Sequence, residues 1–205
     1  MTTNKVVHVA VFDTFADWEI GYATAHIRKA DWQREPGQYE IVTVGLSTDP
    51  ITTMGGMDIV PDITLDQLNP EDSSMLILAG GETWTENAMA PFRTMARRFV
   101  EAGVPVAAIC GATLGLAIEG LLDDRAHTSN AAEVLAYSGY GGAELYRNEP
   151  AVMDRGVITA SSVAPVHFAL VILEALEVYE PAVAKSWFKL FGDRDPAGFF
   201  ELMAV

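Results

Sequence analysis

The chain holds one cysteine, Cys110, which ends the charge-free run VPVAAIC at residues 104–110 and is followed at once by Gly111 and Ala112. A thiol between a continuous apolar run and small residues that open a helix belongs on a tight strand-to-helix turn. Such turns push one side chain outward, as in the nucleophile elbow of serine hydrolases, although the G-x-S-x-G pattern is absent here. Unpaired N–H groups and the helix dipole at that position favour a thiolate. Cys110 is therefore expected to titrate below the usual ~8.5, toward roughly 4 to 7, and to be ionised at neutral pH. The competing role is that of a small buried hydrophobe.

Two further segments bring polar groups to the ends of apolar runs. Glu19 stands in FADWE, among Trp18, Ile20 and Tyr22. A carboxyl in partly apolar surroundings stays protonated, so it can donate a hydrogen bond to Cys110 and titrate with it as a pair. Its other role is that of a solvated first-turn residue. Gly80-Gly81-Glu82 halts the run SMLILA at 74–79. A glycine pair lets backbone approach a ligand, and its N–H groups together with the Gly111 amide would form an oxyanion hole. Trp18, Glu82 and Trp84 flank these loops as candidate pocket walls, with plain packing as the alternative for the tryptophans. Of the four histidines, His8 and His167 lie in apolar core segments and His26 on a helix. His127 is near the elbow in sequence and is the candidate base. No two histidines show metal-ligand spacing, and no metal or cofactor is called for.

The elements that must position these groups follow from the pattern. Residues 6–12 are continuous, β-branched and apolar, as in a strand covered on both faces. A helical spacing follows over 15–31 and stops before Pro36-Gly37. Residues 39–46 read as a second strand, 58–60 as a short one in an irregular stretch, and 74–79 as a buried strand. Phe92, Met95, Ala96, Phe99 and Val100 fall on one helical face ended by Gly103, and 104–110 is again a strand. Residues 112–122 read as a helix, 126–129 as a short strand, 131–137 as a helix, 157–160 as the last strand and 166–178 as the last core helix. Strands alternating with helices imply an α/β fold, a mostly parallel sheet between helix layers in a single domain spanning 1–205. Ligands in such sheets bind beyond the carboxyl ends of the strands, where Glu19, Gly81 and Cys110 would converge.

The formal charge is −15 in 205 residues, with acidic side chains spread from Asp13 to Glu201. That surface repels nucleic acid and anionic membranes, leaving a small-molecule substrate as the expected partner. The first apolar run is too short for a signal segment or a membrane span, so a cytoplasmic protein is expected.

The segments FADWE, LAGGE at 78–82, AAICGAT at 107–113, EGLLDDRAHTSN at 119–130 and ITASSVAPVHFALVILEAL at 158–176 occur in the order of the ThiJ/PfpI superfamily, which the chain resembles over nearly its whole length. The resemblance implies a flavodoxin-like fold of the class I glutamine amidotransferase type and commonly a homodimer. It implies Cys110 as the reactive residue, Glu19 as its hydrogen-bond partner, and Gly81 and Gly111 as the oxyanion site. Two departures bear on function. Protease-like members carry histidine directly after the cysteine, where this chain has Gly111. Many others carry histidine after the elbow helix, where this chain has Asn130, with His127 three positions earlier. The expected activity is a cysteine-dependent attack on a small electrophilic carbonyl or amide, of glyoxalase, deglycase or amidase type. The alternative is a redox or stress-response protein that senses oxidants through Cys110 without turnover.

Overall fold

The computed structural model of the protein describes residues 5–205. Its core is a seven-stranded sheet built from β1 (Lys5–Ala10), β2 (Tyr39–Gly45), β5 (Ile63–Thr64), β6 (Met75–Leu78), β7 (Val106–Ile109), β8 (Ala151–Asp154) and β9 (Val157–Ala160). The order across the sheet is β5-β2-β1-β6-β7-β9-β8. All neighbours run parallel except β8, an antiparallel edge strand on β9. A separate two-stranded hairpin pairs β3 (Ile51–Thr52) with β4 (Asp58–Ile59). The strands β6, β7 and β9 are buried along their whole length, which is why they read as unbroken apolar runs.

The helices α1 (Asp17–Arg28) and α5 (Pro165–Ala175) pack together against the sheet, while α2 (Ala90–Glu101) and α3 (Gly111–Ile118) pack against one another. Phe92, Met95, Ala96 and Phe99 form the buried stripe of α2. Burying Phe92 and Phe99 contributes roughly 1.5–3 kcal/mol each. Gly103 ends this helix with φ +73°, and Val104 N–H returns to the Phe99 carbonyl. The short α4 (Ala132–Ala136) follows the elbow region.

From β1 the chain passes through α1 to β2 on one side, then returns beyond β1 to β6 on the other. That reversal opens a crevice at the carboxyl ends of β1 and β6, the place where such sheets take ligands.

The structure departs from the sequence reading in several places. Residues 126–129 form no strand; a single bridge joins His127 to Tyr146. The edge strand β8 was not expected. The helix expected over 166–178 spans Pro165–Ala175 and is not the last, since α6 (Pro181–Phe191) and α7 (Ala197–Leu202) follow and pack on each other beside α5.

Candidate active site

Four adjacent strands deliver the site. The turn after β1 leads into α1 and Glu19, Gly80 follows the end of β6, Cys110 follows β7, and Ser162 follows β9. Because these strands are parallel, their carboxyl ends share one edge.

Cys110 is the N-cap of α3, with φ 58° and ψ −125°. A non-glycine residue there costs of order 1–3 kcal/mol, and the surrounding contacts have to hold it. Its N–H donates to the Ala160 carbonyl at 3.0 Å, and the Thr113 hydroxyl donates to its carbonyl at 2.6 Å. The turn is strained, braced on both sides, and leaves the thiol half-buried, as an elbow requires.

Glu19 is fully buried. Its Oε2 accepts from the Gly80 N–H at 2.7 Å, and Oε1 has no hydrogen-bond partner among the described residues. Desolvation pushes this carboxyl up, with the Gly80 amide and the thiol pulling the other way. A proton on this carboxyl lets the Glu19 side chain donate to its Cys110 hydrogen-bond partner. Without it, a carboxylate oxygen would be buried with no donor at all.

The expectation of a depressed cysteine does not hold in this setting. Burial, the largest cause, pushes the Cys110 thiol up; the Asn130 side chain and the Gly111 N–H pull it down, and the neighbouring Glu19 pushes it up further. Helix-end donors favour the thiolate, but desolvation of the half-buried sulfur outweighs them. The two groups titrate as a pair: when Glu19 holds the proton its charge vanishes, which removes one upward push on the sulfur and leaves burial opposed by the Asn130 and Gly111 donors.

Gly80 is where the two groups meet. A Cβ on it would lie 2.6 Å from Glu19 Oε2, 2.7 Å from Cys110 Cβ and 2.9 Å from Cys110 Sγ. The Gly80 amide is therefore spent on Glu19. The neighbouring Gly81 N–H has no protein acceptor among the described residues, and Gly111 lies against Gly81.

Asn130 stands at the mouth of the site, its Nδ2 donating to Cys110 Sγ at 3.3 Å. Its Oδ1 accepts from the Ser162 N–H at 2.8 Å. Ser129 joins the Thr113 hydroxyl at 2.7 Å, tying this segment to the elbow helix. A groove of about 400 Å³, lined by Ser129, Asn130, Asn148, Ser161 and His167 among others, opens beside it. A larger cavity of about 980 Å³, lined by Leu46, Thr64 and Arg98 among others, includes none of Glu19, Gly80, Cys110 or Asn130 and is not the site of this chemistry.

The remaining candidates lie elsewhere. The ring of Trp84 is buried, its Nε1 donates to the Ala79 carbonyl at 2.8 Å and its edge meets Phe12, so it supports the loop from the core and walls no pocket. Trp18 is half-exposed and lines a separate cleft with Tyr22 and His26. Glu82 is exposed. His127 is buried with both nitrogens engaged, Nδ1 at the Arg125 carbonyl and Nε2 at the Tyr140 hydroxyl, and burial lowers its pKa. The carbonyl partner requires the proton on Nδ1, so Nε2 accepts, and the His127 imidazole is not free to act as a base on sulfur. Sequence reasoning read Gly80 only as half of a glycine pair offering N–H groups to a ligand, not as the contact between Glu19 and Cys110, and it did not single out Thr113 or Ser162. Gly80 carries a signal in its place directly after a buried strand; the other two do not. Among the described residues no group of three or more His, Cys, Asp or Glu side chains is arranged to hold a metal, and no helix is long and apolar enough to cross a membrane.

Comparison with known proteins places this architecture. The chain is 41% identical to a Bacillus subtilis protein named uncharacterized protease YoaZ, over 99% of this chain and 98% of the other. It is 25% identical to the glutathione-independent glyoxalase DJR-1.2 of Caenorhabditis elegans, over 69% of this chain and 75% of that one. The crystal structure of a thiJ/pfpI family protein from Bacillus anthracis superimposes with a TM-score of 0.93 at 38% identity, covering 100% of this chain and 98% of that one. Residues 5–175 match the model of the DJ-1/PfpI family, to which the chain belongs.

Proposed function

We propose that the protein is a cofactor-independent enzyme that uses Cys110 as nucleophile on small 2-oxoaldehydes and related electrophilic carbonyls, with Glu19 as its proton carrier. The observation that carries this reading is the buried Glu19 carboxyl, its charge disfavoured and one oxygen without a donor, coupled to a thiol on a strained turn. The glyoxalase named among the relatives supports it. The protease in another relative's name finds less support, because Gly111 follows the cysteine and His127 is engaged elsewhere.

The steps balance with these groups alone. The Cys110 thiolate adds to the aldehyde carbon, and the developing alkoxide is met by the Gly81 and Gly111 N–H groups and takes the proton from Glu19. The Glu19 carboxylate then removes the hydrogen on the former aldehyde carbon, giving an enediolate, and returns that proton to the adjacent carbon, while the hydroxyl proton on the former aldehyde oxygen passes to the neighbouring oxygen and closes the thioester carbonyl. The product is a 2-hydroxyacyl thioester on Cys110. Water hydrolyses it to a 2-hydroxy acid and frees the thiol. A 2-oxoaldehyde suits the site because one group moves one proton between adjacent carbons and no amine leaving group needs a second acid.

The test is incubation with methylglyoxal without glutathione, following lactate. Lactate formed by the wild type and lost in Cys110→Ser supports the reading. No lactate from either, with Cys110 oxidised to a stable sulfinic acid under mild peroxide, would replace it with the oxidant-sensing role.

A further inference from the structure

We propose that Asn130 is a catalytic residue: a neutral donor, fixed by the Ser162 backbone, that holds the Cys110 sulfur as an anion and leaves Glu19 as the one proton carrier at that atom. This deepens the reading of Cys110 as nucleophile and rests on it, but its test reads the sulfur directly and needs no turnover.

The orientation of the Asn130 amide is settled by chemistry. The Ser162 N–H can only donate, so the atom facing it at 2.8 Å is Oδ1, and Nδ2 must face the sulfur at 3.3 Å. The segment is anchored a second time by the Ser129 hydroxyl on Thr113, and Thr113 also donates to the Cys110 carbonyl. Nucleophile and donor therefore share one brace, and a donor held in place before reaction stabilises a charge without reorganising.

The groups packed round the sulfur make this amide decisive. From α1 comes Glu19; β7 and α3 carry no ionisable side chain; residues 161–164 carry none; Gly80 and Gly81 have no side chain. His127 is engaged by Arg125 and Tyr140, and His167 lines the same groove as Asn130 with its ring against Phe188. Where an imidazole would add a second titrating group, a carboxamide stabilises sulfur and cannot exchange a proton with it. The groove that Asn130 lines is then the side from which substrate arrives, while Glu19 works from full burial.

The experiment is the rate of Cys110 alkylation by iodoacetamide from pH 5 to 10 in the wild type, Asn130→Asp and Asn130→Ala, with thermal unfolding of each. Asn130→Asp keeps an oxygen for the Ser162 N–H but turns an acceptor toward sulfur. Alkylation at neutral pH is expected to fall at least about tenfold, the equivalent of one pKa unit of lost thiolate, with a smaller fall in Asn130→Ala. If Asn130→Asp does not fold, Asn130→Ala decides on the same readout. An unchanged pH profile and rate in whichever of these variants folds overturns the proposal and leaves Asn130 as a brace for the loop.

Discussion

Placing a methyl group on Gly80 is the sharpest perturbation the site offers. In Gly80→Ala the new Cβ would stand 2.6 Å from Glu19 Oε2, 2.7 Å from Cys110 Cβ and 2.9 Å from Cys110 Sγ. All three distances are shorter than real Cβ contacts, so something must shift. Cys110 Cβ is held by a braced turn and Glu19 by a buried helix, so neither yields freely. Overpacking of this kind costs typically about 1–3 kcal/mol. In a domain of this size each kcal/mol is worth about 2–4 °C in melting temperature, which sets an expected fall of about 2–12 °C. Function should suffer more than stability, because the displaced atoms are the reacting sulfur and its proton partner, and a shift near 1 Å can cost roughly 100-fold. The assay is calorimetric melting together with Cys110 alkylation and methylglyoxal turnover on the same sample. A variant that melts within about 1 °C of the wild type and keeps turnover within twofold would show that Gly80 is not a forced close approach, and the geometry linking Glu19 to Cys110 would be refuted with it.

Other outcomes follow from the same structure. Trp84→Ala empties a buried ring that donates to Ala79 and packs on Gly115, and it should lower stability by about 3–5 kcal/mol in denaturant titration while Cys110 is still alkylated in the folded fraction. Burial raises the Glu19 pKa, so the folded state keeps this proton longer than the unfolded chain: its contribution is complete below the ordinary carboxyl range and is lost as pH rises through the folded value. Glu19→Gln should therefore gain stability relative to the wild type as pH is raised above about 4.5, and a constant difference from pH 4 to 9 would contradict it. His26 is pushed down to about 4 by burial and by Lys29, so its contribution is present above about 6.5 and lost as pH falls through 4. His26→Phe should flatten that acid limb of the unfolding curve.

Much of this was legible in the sequence, for physical reasons. Buried parallel strands announce themselves as unbroken apolar runs, and each of 74–79 and 104–110 ends at a helix- or strand-breaking small residue, so Gly80 and Cys110 were placed at strand ends from the pattern alone. What escaped depends on distance in the chain or on burial. Asn130 and Ser162 lie 32 residues apart and meet only because β9 lies beside β7. Trp84 flanks the Gly80-Gly81 loop, which leaves a pocket wall and plain packing equally open in the sequence; the glycines Gly111 and Gly115, one helical turn apart, leave the room that its ring fills. Residues 126–129 follow the elbow helix as a short extended segment but form a single β-bridge, His127 to Tyr146, because hydrogen bonds from Ala126 and Thr128 go to Asp154, Thr159 and Glu149. The edge strand β8 is short and half-exposed, without the apolar run that marks the central strands. The apolar face of α6, with Val183, Ala184 and Trp187 buried behind Pro181, was readable and was passed over. The ionisation of Cys110 was misjudged because helix-end donors can be counted from sequence and desolvation cannot.

The most direct test of the central claim is the ratio of turnover to thiol reactivity in Glu19→Gln, measured on one preparation at neutral pH. The Gln carboxamide can still accept from Gly80 and donate to sulfur, but it cannot carry a proton. Alkylation of Cys110 is expected to stay within about fivefold of the wild type while methylglyoxal turnover falls at least about 100-fold, the lower end of what general acid–base catalysis supplies. If turnover persists with alkylation, or if both fall by the same factor, Glu19 is not the proton carrier and its place beside Cys110 is structural.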